Sequence, residues 1–320
     1  MHAGARWSLG TLVGAGALTA AGALGLSFYA ERIAREAERL VPQDGRHIQV
    51  DGARLHYVDR GSGPAIVMVH GLGGQLRNFS YAMLDLLSAS HRVILVDRPG
   101  SGYSTADDGE PGIVAQGTIL GRFIEALGVE RPLLVGHSLG GAVALALALE
   151  RPELIRGLAL IAPLTQAQEE VPENFRPLAL VPPALRQLLA HTVGPPLTRL
   201  TRERGLRMVF APETPPEDFA TRGGGALTQR PSALAAAHAD LKAAGDEMAG
   251  LVARYPDLAV PIAILFGRDD AVLDPTLHGR HTADTVPGTS LELIEGGHMI
   301  PVTAPEASAD FVARASVRFG

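Results

Sequence analysis

Residues 132–150 read PLLVGHSLGGAVALALALE, and this stretch decides the fold. Its first five residues form a short apolar run, which is typical of a strand buried on both faces of a parallel sheet. Residues 141–150 are rich in alanine and leucine and favour a helix. Between them, Gly136 and Gly140 flank Ser138 at a spacing of two, where a tight turn from strand to helix leaves no room for larger side chains. The stretch therefore predicts a strand, a sharp turn and a helix.

Ser138 is the candidate nucleophile of this turn. The turn lifts its hydroxyl out at the head of the helix, whose dipole favours an alkoxide-like oxygen. The alternative is a structural turn with a capping serine. Because the strand and the helix stand where the nucleophile turn requires them, the pattern favours a catalytic serine.

The rest of the chain alternates short apolar runs with helical stretches. Asp51-Gly52 separates two strand-like runs and is a strong hairpin signal. The predicted strands are residues 47–50, 54–59, 65–70, 92–97, 132–136, 157–162, 261–266 and 290–294. This order predicts an α/β fold with a largely parallel sheet covered by helices on both faces. Residues 164–257 contain no clear strand and are too many for a loop, so they predict an inserted helical cap, or lid.

Composition excludes several classes of protein. The chain has 320 residues, of which 46% are hydrophobic and 19% are charged, and this excludes a disordered chain. A net charge of −6 gives no basic footprint for nucleic acid. The absence of cysteine excludes disulfides, thiolate metal sites and a cysteine nucleophile. His278 and His281 could share a metal, but a solvated helix face is the preferred interpretation. We expect no metal and no cofactor.

A glycine-rich segment, His70–Gly74 (HGLGG), follows another predicted strand. Acyl transfer needs hydrogen-bond donors aimed at the developing oxyanion, and backbone amides can supply them where glycines let the chain bend. The amides of Leu72 and Leu139 are the candidates for this oxyanion hole. The alternative is an ordinary glycine turn. His70 is expected to brace the loop.

A serine nucleophile needs a base, and the base needs an acid that orients it. In the chain order Ser, Asp or Glu, His, the acid follows a late strand and the histidine a later one. Residues 267–270 (GRDD) offer Asp270 as the acid, with Asp269 as its rival. Residues 296–298 (GGH) offer His298 as the base. His278 and His281 also follow the acid, but they lie on a helix-like segment.

Taken together and in this order, HGLGG, DRPGSGYS (residues 97–104), GHSLGG, GRDD and GGH resemble the alpha/beta-hydrolase fold family, in its serine-nucleophile, esterase- and lipase-like branch. The resemblance implies a mostly parallel eight-stranded sheet with a cap after the sixth strand. It also implies a triad of Ser138, Asp270 and His298 and an oxyanion hole at Leu72 and Leu139. Serine at the nucleophile position argues against the epoxide hydrolases and haloalkane dehalogenases, which use an aspartyl ester.

The N-terminus forms a separate piece. Residues 7–30 carry no charge and span roughly 36 Å as a helix, at about 1.5 Å per residue, which exceeds the roughly 30 Å hydrocarbon core of a bilayer. We expect a single-pass anchor, placing the protein at a bacterial inner membrane with lipid as a partner. A cleaved signal peptide and a buried helix are the alternatives. Gly10 and Gly14 could support self-association.

The predicted domains are the transmembrane or signal segment 1–30, a linker helix 31–45, a hydrolase core 46–163 and 258–320, and the cap 164–257.

The sequence thus predicts a serine hydrolase that cleaves a small-molecule carboxylic ester with an apolar part. The alternative uses the same triad as a C–C hydrolase, thioesterase, amidase, perhydrolase or acyltransferase. A catalytically silent receptor or scaffold is the remaining alternative, and an intact triad argues against it.

Overall fold

A largely parallel sheet forms the centre of the computed structural model, which describes residues 9–168, 182 and 185–320. The strands follow the order β1-β2-β4-β3-β6-β7-β8-β9, and β5 pairs with β2 beside this path. Only the pairs that involve β2 are antiparallel. The strands are β1 Arg46–Val50, β2 Ala53–Arg60, β3 Ala65–Val69, β4 Arg92–Val96, β5 Thr105–Ala106, β6 Leu133–His137, β7 Gly157–Ile161, β8 Ile262–Gly267 and β9 Thr289–Ile294. The eight-stranded path confirms the predicted fold class, and β5 is an addition of two residues.

Helices cover both faces of the sheet. In chain order they are α1 Leu9–Leu40, α2 Arg77–Ser80, α3 Met83–Ser88, α4 Ile113–Ala126, α5 Leu139–Glu150, α6 Arg186–Ala190, α7 Gly194–Phe210, α8 Pro231–Ala253, α9 Thr282–Thr285, α10 Ile300–Thr303 and α11 Pro305–Arg318. Short 3₁₀ turns lie at Pro152–Leu154, Gly225–Gln229 and Tyr255–Asp257, and a π-helical turn lies at Pro275–His281. Asp274 caps this last turn by accepting a hydrogen bond from the Thr276 amide at 2.8 Å.

Strand β6 leads directly into Ser138. It lies at the middle of the sheet, and all five of its residues are buried. Its neighbours β3 and β7 are parallel to it, so the carboxyl ends of all three strands meet at one edge. Leu134 faces the core that contains α4 and α5, whereas Leu133 and Val135 face the core that contains α3 and α11. Burial on both faces explains why β6 reads as a continuous apolar run.

The cap segment, defined as residues 164–257, connects β7 to β8. Its described part holds α6, α7, α8 and two 3₁₀ turns, whereas residues 169–181, 183 and 184 lie outside the described part of the chain. Helix α8 packs against α4 and α5, so it bridges the cap segment and the layer that covers the sheet.

The N-terminal prediction needs a correction. Residues 1–8 of the predicted anchor lie outside the described residues, and α1 runs on through Leu40. Within the described part of the chain, no helix combines the length and the apolar character needed to cross a membrane. The single-pass anchor, and the membrane location inferred from it, are therefore wrong for these residues. The lipid partner and the self-association that depended on the anchor have no support there either.

The described side chains of α1 show a physical reason for this correction. Its C-terminal half carries charged residues and packs on the protein, with Ile33 and Ala37 buried. Ala37 joins a small core cluster with Ala226 and Leu227 of the cap segment. On its outer side, Glu36 pairs with Arg199 of α7 at 2.8 Å. The end of α1 is thus a docked helix with an apolar stripe and a charged face.

Candidate active site

Ser138 occupies the turn between β6 and α5 in a conformation that L-residues rarely adopt. Its backbone angles are φ 54° and ψ −124°. The turn is tight enough that a Cβ on Gly136 would lie 2.5 Å from the carbonyl oxygen of Gly140. A Cβ on Gly140 would in turn collide with the carbonyl oxygen of Val69 at the end of β3. The small residues on both sides of Ser138 are therefore a steric requirement of the turn, and the strain is concentrated at the predicted nucleophile.

His298 and Asp270 form a buried pair beside this turn. The Nδ1 atom of His298 lies 2.8 Å from Oδ2 of Asp270, and both side chains are buried. The other carboxylate oxygen of Asp270 accepts hydrogen bonds from the amides of Val272 and Leu273 at 2.8 and 2.9 Å. Burial raises the pKa of Asp270, but the His298 ring and the two amides together outweigh burial, so the pKa lies below its usual value. The carboxylate is thus held ionised and aimed at Nδ1, leaving Nε2 for proton transfer.

The rival residues lie elsewhere. Asp269 is exposed, and none of its described contacts reaches His298. His278 is buried under the sheet edge, where its Nδ1 accepts from the amides of Thr165 and Gln166 at 3.2 Å. Burial lowers the pKa of His278 to about 4, so its ring is neutral at pH 7. His281 is exposed on the same turn.

The HGLGG loop lies directly against Ser138. A Cβ on Gly71 would lie 2.7 Å from Cβ of Ser138 and 3.2 Å from its Oγ, so only glycine allows this approach. Leu72 follows in the loop and lines the cavity in front of Ser138. Leu139 is the first residue of α5, so its amide is one of those left unpaired at a helix N-terminus. The two predicted oxyanion donors are thus neighbours of Ser138 from two different elements.

His70 braces this loop and is neutral. Its Nε2 accepts a hydrogen bond from the Arg98 amide at 2.9 Å, so its Nδ1 carries the proton and donates to the Gly71 carbonyl at 2.9 Å. Burial, and then the nearby charge of Arg98, hold the pKa of His70 well below its usual value. Both ring nitrogens are therefore hydrogen-bonded, and the ring holds the loop in place, as the sequence predicts.

A buried arginine network that the sequence does not reveal holds the same loop. Arg98 donates to the carbonyls of His70 and Gly71 at 2.9 Å. It also forms a two-pronged pair with Asp240 of α8, at 3.0 and 2.8 Å, and both side chains are almost fully buried. Gln116 of α4 donates to the same carboxylate at 2.8 Å. Arg98 stands in the DRPGSGYS segment, but its partner is 142 residues away, so no local pattern points to the pair.

Two further residues form hydrogen bonds with the backbone of the loop that carries His298. Glu213 of the cap segment accepts the Gly297 amide at 3.0 Å with one carboxylate oxygen and at 3.2 Å with the other. His137 Nε2 lies 3.0 Å from the His298 carbonyl and donates to it. Burial, and then the nearby His298 ring, lower the pKa of His137 to about 3, so it stays neutral. His137 is adjacent to Ser138 in the chain, and that adjacency is the one sequence signal for its role.

A cavity of about 260 Å³ opens in front of Ser138 and His298. One wall is the HGLGG loop, and the opposite wall belongs to the cap segment. Apolar side chains near His298 include Met299, Leu206, Phe210 and Phe219. The predicted nucleophile, the predicted base and Leu72, one of the predicted oxyanion donors, thus line a single cavity that is mostly apolar.

Comparisons with known proteins identify the family. A family model described as alpha/beta hydrolase fold matches residues 64–305. The chain belongs to that family.

Its relatives include hydrolases. A 2-hydroxy-6-oxo-6-phenylhexa-2,4-dienoate hydrolase of Comamonas testosteroni is 39% identical over 114 residues, which are 34% of this chain and 40% of the relative. The chain spans only 31% to 41% of the length of the first curated relatives it matches.

Solved structures share the fold. A thermophilic esterase from Thermogutta terrifontis has a TM-score of 0.71 at 20% identity, covering 86% of this chain and 99% of the esterase. An enol-lactonase from Burkholderia xenovorans LB400 has a TM-score of 0.67 at 22% identity, covering 84% and 98%. At these identities the likeness extends to the fold alone.

Proposed function

We propose that the protein is a serine hydrolase that cleaves carboxylic esters with an apolar part. One observation supports this proposal most directly. The strained turn at Ser138, the Asp270–His298 pair and the HGLGG loop lie together at one cavity. These groups supply the nucleophile, the oriented base and the donors that acyl transfer needs. The mostly apolar cavity supports a substrate with an apolar acyl or alcohol part.

The proposed reaction has two halves. His298 removes the proton of the Ser138 hydroxyl while the oxygen attacks the ester carbonyl, and the amides of Leu72 and Leu139 stabilise the resulting oxyanion. His298 then gives the proton to the leaving alcohol, and an acyl-enzyme remains on Ser138. Water, activated by His298, cleaves that acyl-enzyme and releases the acid. Asp270 holds the ring and stabilises its charged form throughout.

The second candidate is the same triad acting on a carbon–carbon bond. The relative from Comamonas testosteroni, whose name denotes hydrolysis of a dienoate, favours it. The domain division, with core 46–163 and 258–320 and cap 164–257, is part of the proposal, because it puts the substrate between the HGLGG loop and the cap segment.

The test is reaction with a fluorophosphonate probe together with turnover of p-nitrophenyl esters of graded chain length, beside amide and dienoate analogues. We expect the probe to label the wild-type protein at Ser138 and Ser138→Ala to lose both labelling and turnover. Ser232→Ala, on α8 and outside the cavity lining, is the matched control and should keep both. Labelling at another serine, or ester turnover that survives Ser138→Ala, would refute the assignment, and faster turnover of dienoates than of any ester would favour the second candidate.

A further inference from the structure

One face of α7 forms the cap wall of the cavity. The lining residues of this helix are spaced three and four apart, so they share a face: Thr198, Thr201, Arg202, Gly205, Leu206 and Val209. The character of the face changes along the helix. Its C-terminal end is apolar and continues into Phe210, which clusters with Met299 beside His298. Its N-terminal end is polar and carries a positive charge on Arg202.

Among the four arginines of α7, Arg202 lines the cavity, whereas Arg204 is exposed outside it. Arg199 pairs with Glu36 and Arg207 pairs with Glu203, both at the surface. Among the described residues, no ion pair or hydrogen bond engages the half-buried Arg202 guanidinium. The described lining of the cavity also contains no carboxylate. A guanidinium that faces a mostly apolar space without a partner favours binding of an anion there.

We propose that Arg202 binds an anionic oxygen group, a carboxylate or a phosphate, at the end of the substrate remote from the reacting ester. This inference rests on the proposed function, since it names the substrate class for the same site. Arg202 precedes Phe210 by eight residues, roughly 12 Å along a helix at about 1.5 Å per residue. The substrate is then an ester whose apolar chain leads from Ser138 along Leu206 to an anionic end at Arg202.

The experiment compares anionic substrates with neutral substrates of the same length. One arm uses the p-nitrophenyl monoesters of succinic and suberic acids beside the same compounds with the free carboxyl methylated. A second arm uses the p-nitrophenyl ester of 8-phosphonooxyoctanoic acid beside that of 8-hydroxyoctanoic acid, and so separates phosphate from carboxylate recognition. The variants are Arg202→Met, Arg202→Lys and the control Arg204→Met, whose side chain is exposed on α7 and outside the cavity lining.

We expect kcat/KM of the wild-type protein for the suberate monoester, or for the phosphonooxyoctanoate ester, to exceed that of the neutral partner by about tenfold, a modest charge-assisted preference for a half-buried arginine. The preference should fall with rising salt, vanish in Arg202→Met, persist in part in Arg202→Lys and stay intact in Arg204→Met. The succinate monoester, too short to reach Arg202, should show little preference. An equal preference in wild type and Arg202→Met would overturn the inference while leaving ester hydrolysis by Ser138 in place.

Binding of suberate, followed by titration calorimetry, tests the anion site without turnover. Loss of suberate binding in Arg202→Met and its retention in Arg204→Met support the site even if no ester is cleaved, an outcome that overturns the proposed function alone. Suberate binding that is absent in the wild-type protein, or equal in both variants, overturns the anion site.

Discussion

Replacing Asp240 by alanine tests whether the buried pair with Arg98 holds the cap segment and the HGLGG loop together. The substitution removes three hydrogen bonds, two from Arg98 and one from Gln116, between side chains that are almost fully buried. It leaves the guanidinium buried without its counter-charge. Breaking a buried pair in this way costs about 3–5 kcal/mol of the free energy of unfolding. Urea unfolding followed by circular dichroism measures this loss.

The matched control lies on the same helix. Asp246 pairs with Lys242 one turn apart, and both side chains are more than half exposed. Asp246→Ala should therefore change the free energy of unfolding by no more than about 1 kcal/mol. The double variant Arg98→Met/Asp240→Leu should recover part of the loss, because it removes both charges together. Similar losses for Asp240→Ala and Asp246→Ala would refute the argument that the buried pair is a structural tie.

The remaining predictions concern the proposed acid and a buried histidine. Asp270→Asn should lower kcat by about 10³–10⁴, because the amide cannot keep His298 in the required tautomer, whereas the exposed Asp269→Asn should leave kcat nearly unchanged; a severe effect of Asp269→Asn alone would reverse the assignment. The pKa of His278 is about 4 in the folded protein and about 6.5 in the unfolded chain. Between these two pH values the unfolded chain binds a proton that the folded protein does not, so His278 destabilises the fold increasingly as pH falls from about 6.5 to about 4. His278→Gln should reduce the fall in unfolding free energy between pH 6 and pH 5 by about 1 kcal/mol, measured by urea unfolding at both values, and an unchanged pH dependence would contradict the neutral ring.

The sequence predicts the sheet well because its central strands β3, β4, β6, β7 and β8 are largely buried and read as apolar runs between turn signals. Strand β6 and helix α5 were predicted to within two residues because Gly136 and Gly140 mark the turn between them. The two-residue strand β5 is too short to leave a pattern.

The candidate site also contains residues that the sequence indicates and residues that it does not. Ser138, His298 and the adjacent Asp269 and Asp270 each follow a strand, so the glycine-flanked turn and chain order narrowed the choice to these residues, and their roles stay a prediction. The choice between Asp269 and Asp270 depends on which carboxylate the loop buries, and the structure brings Asp270 to His298. Asp240 and Glu213 left no recognisable pattern, because each is in the cap segment and contacts a core residue that is distant in the chain.

Glu213 has a consequence for any redesign of this protein. Its carboxylate accepts the Gly297 amide immediately before His298, although Glu213 itself belongs to the cap segment. A chimera with a cap transplanted from another hydrolase would leave that amide without its acceptor wherever the donor cap lacks a carboxylate at this place. Such a chimera would retain Ser138, Asp270 and His298 and yet lose part of their alignment. An exchange of the cap segment that aims to change substrate range therefore has to keep Glu213 in place. The part that can be exchanged is smaller than the whole cap segment.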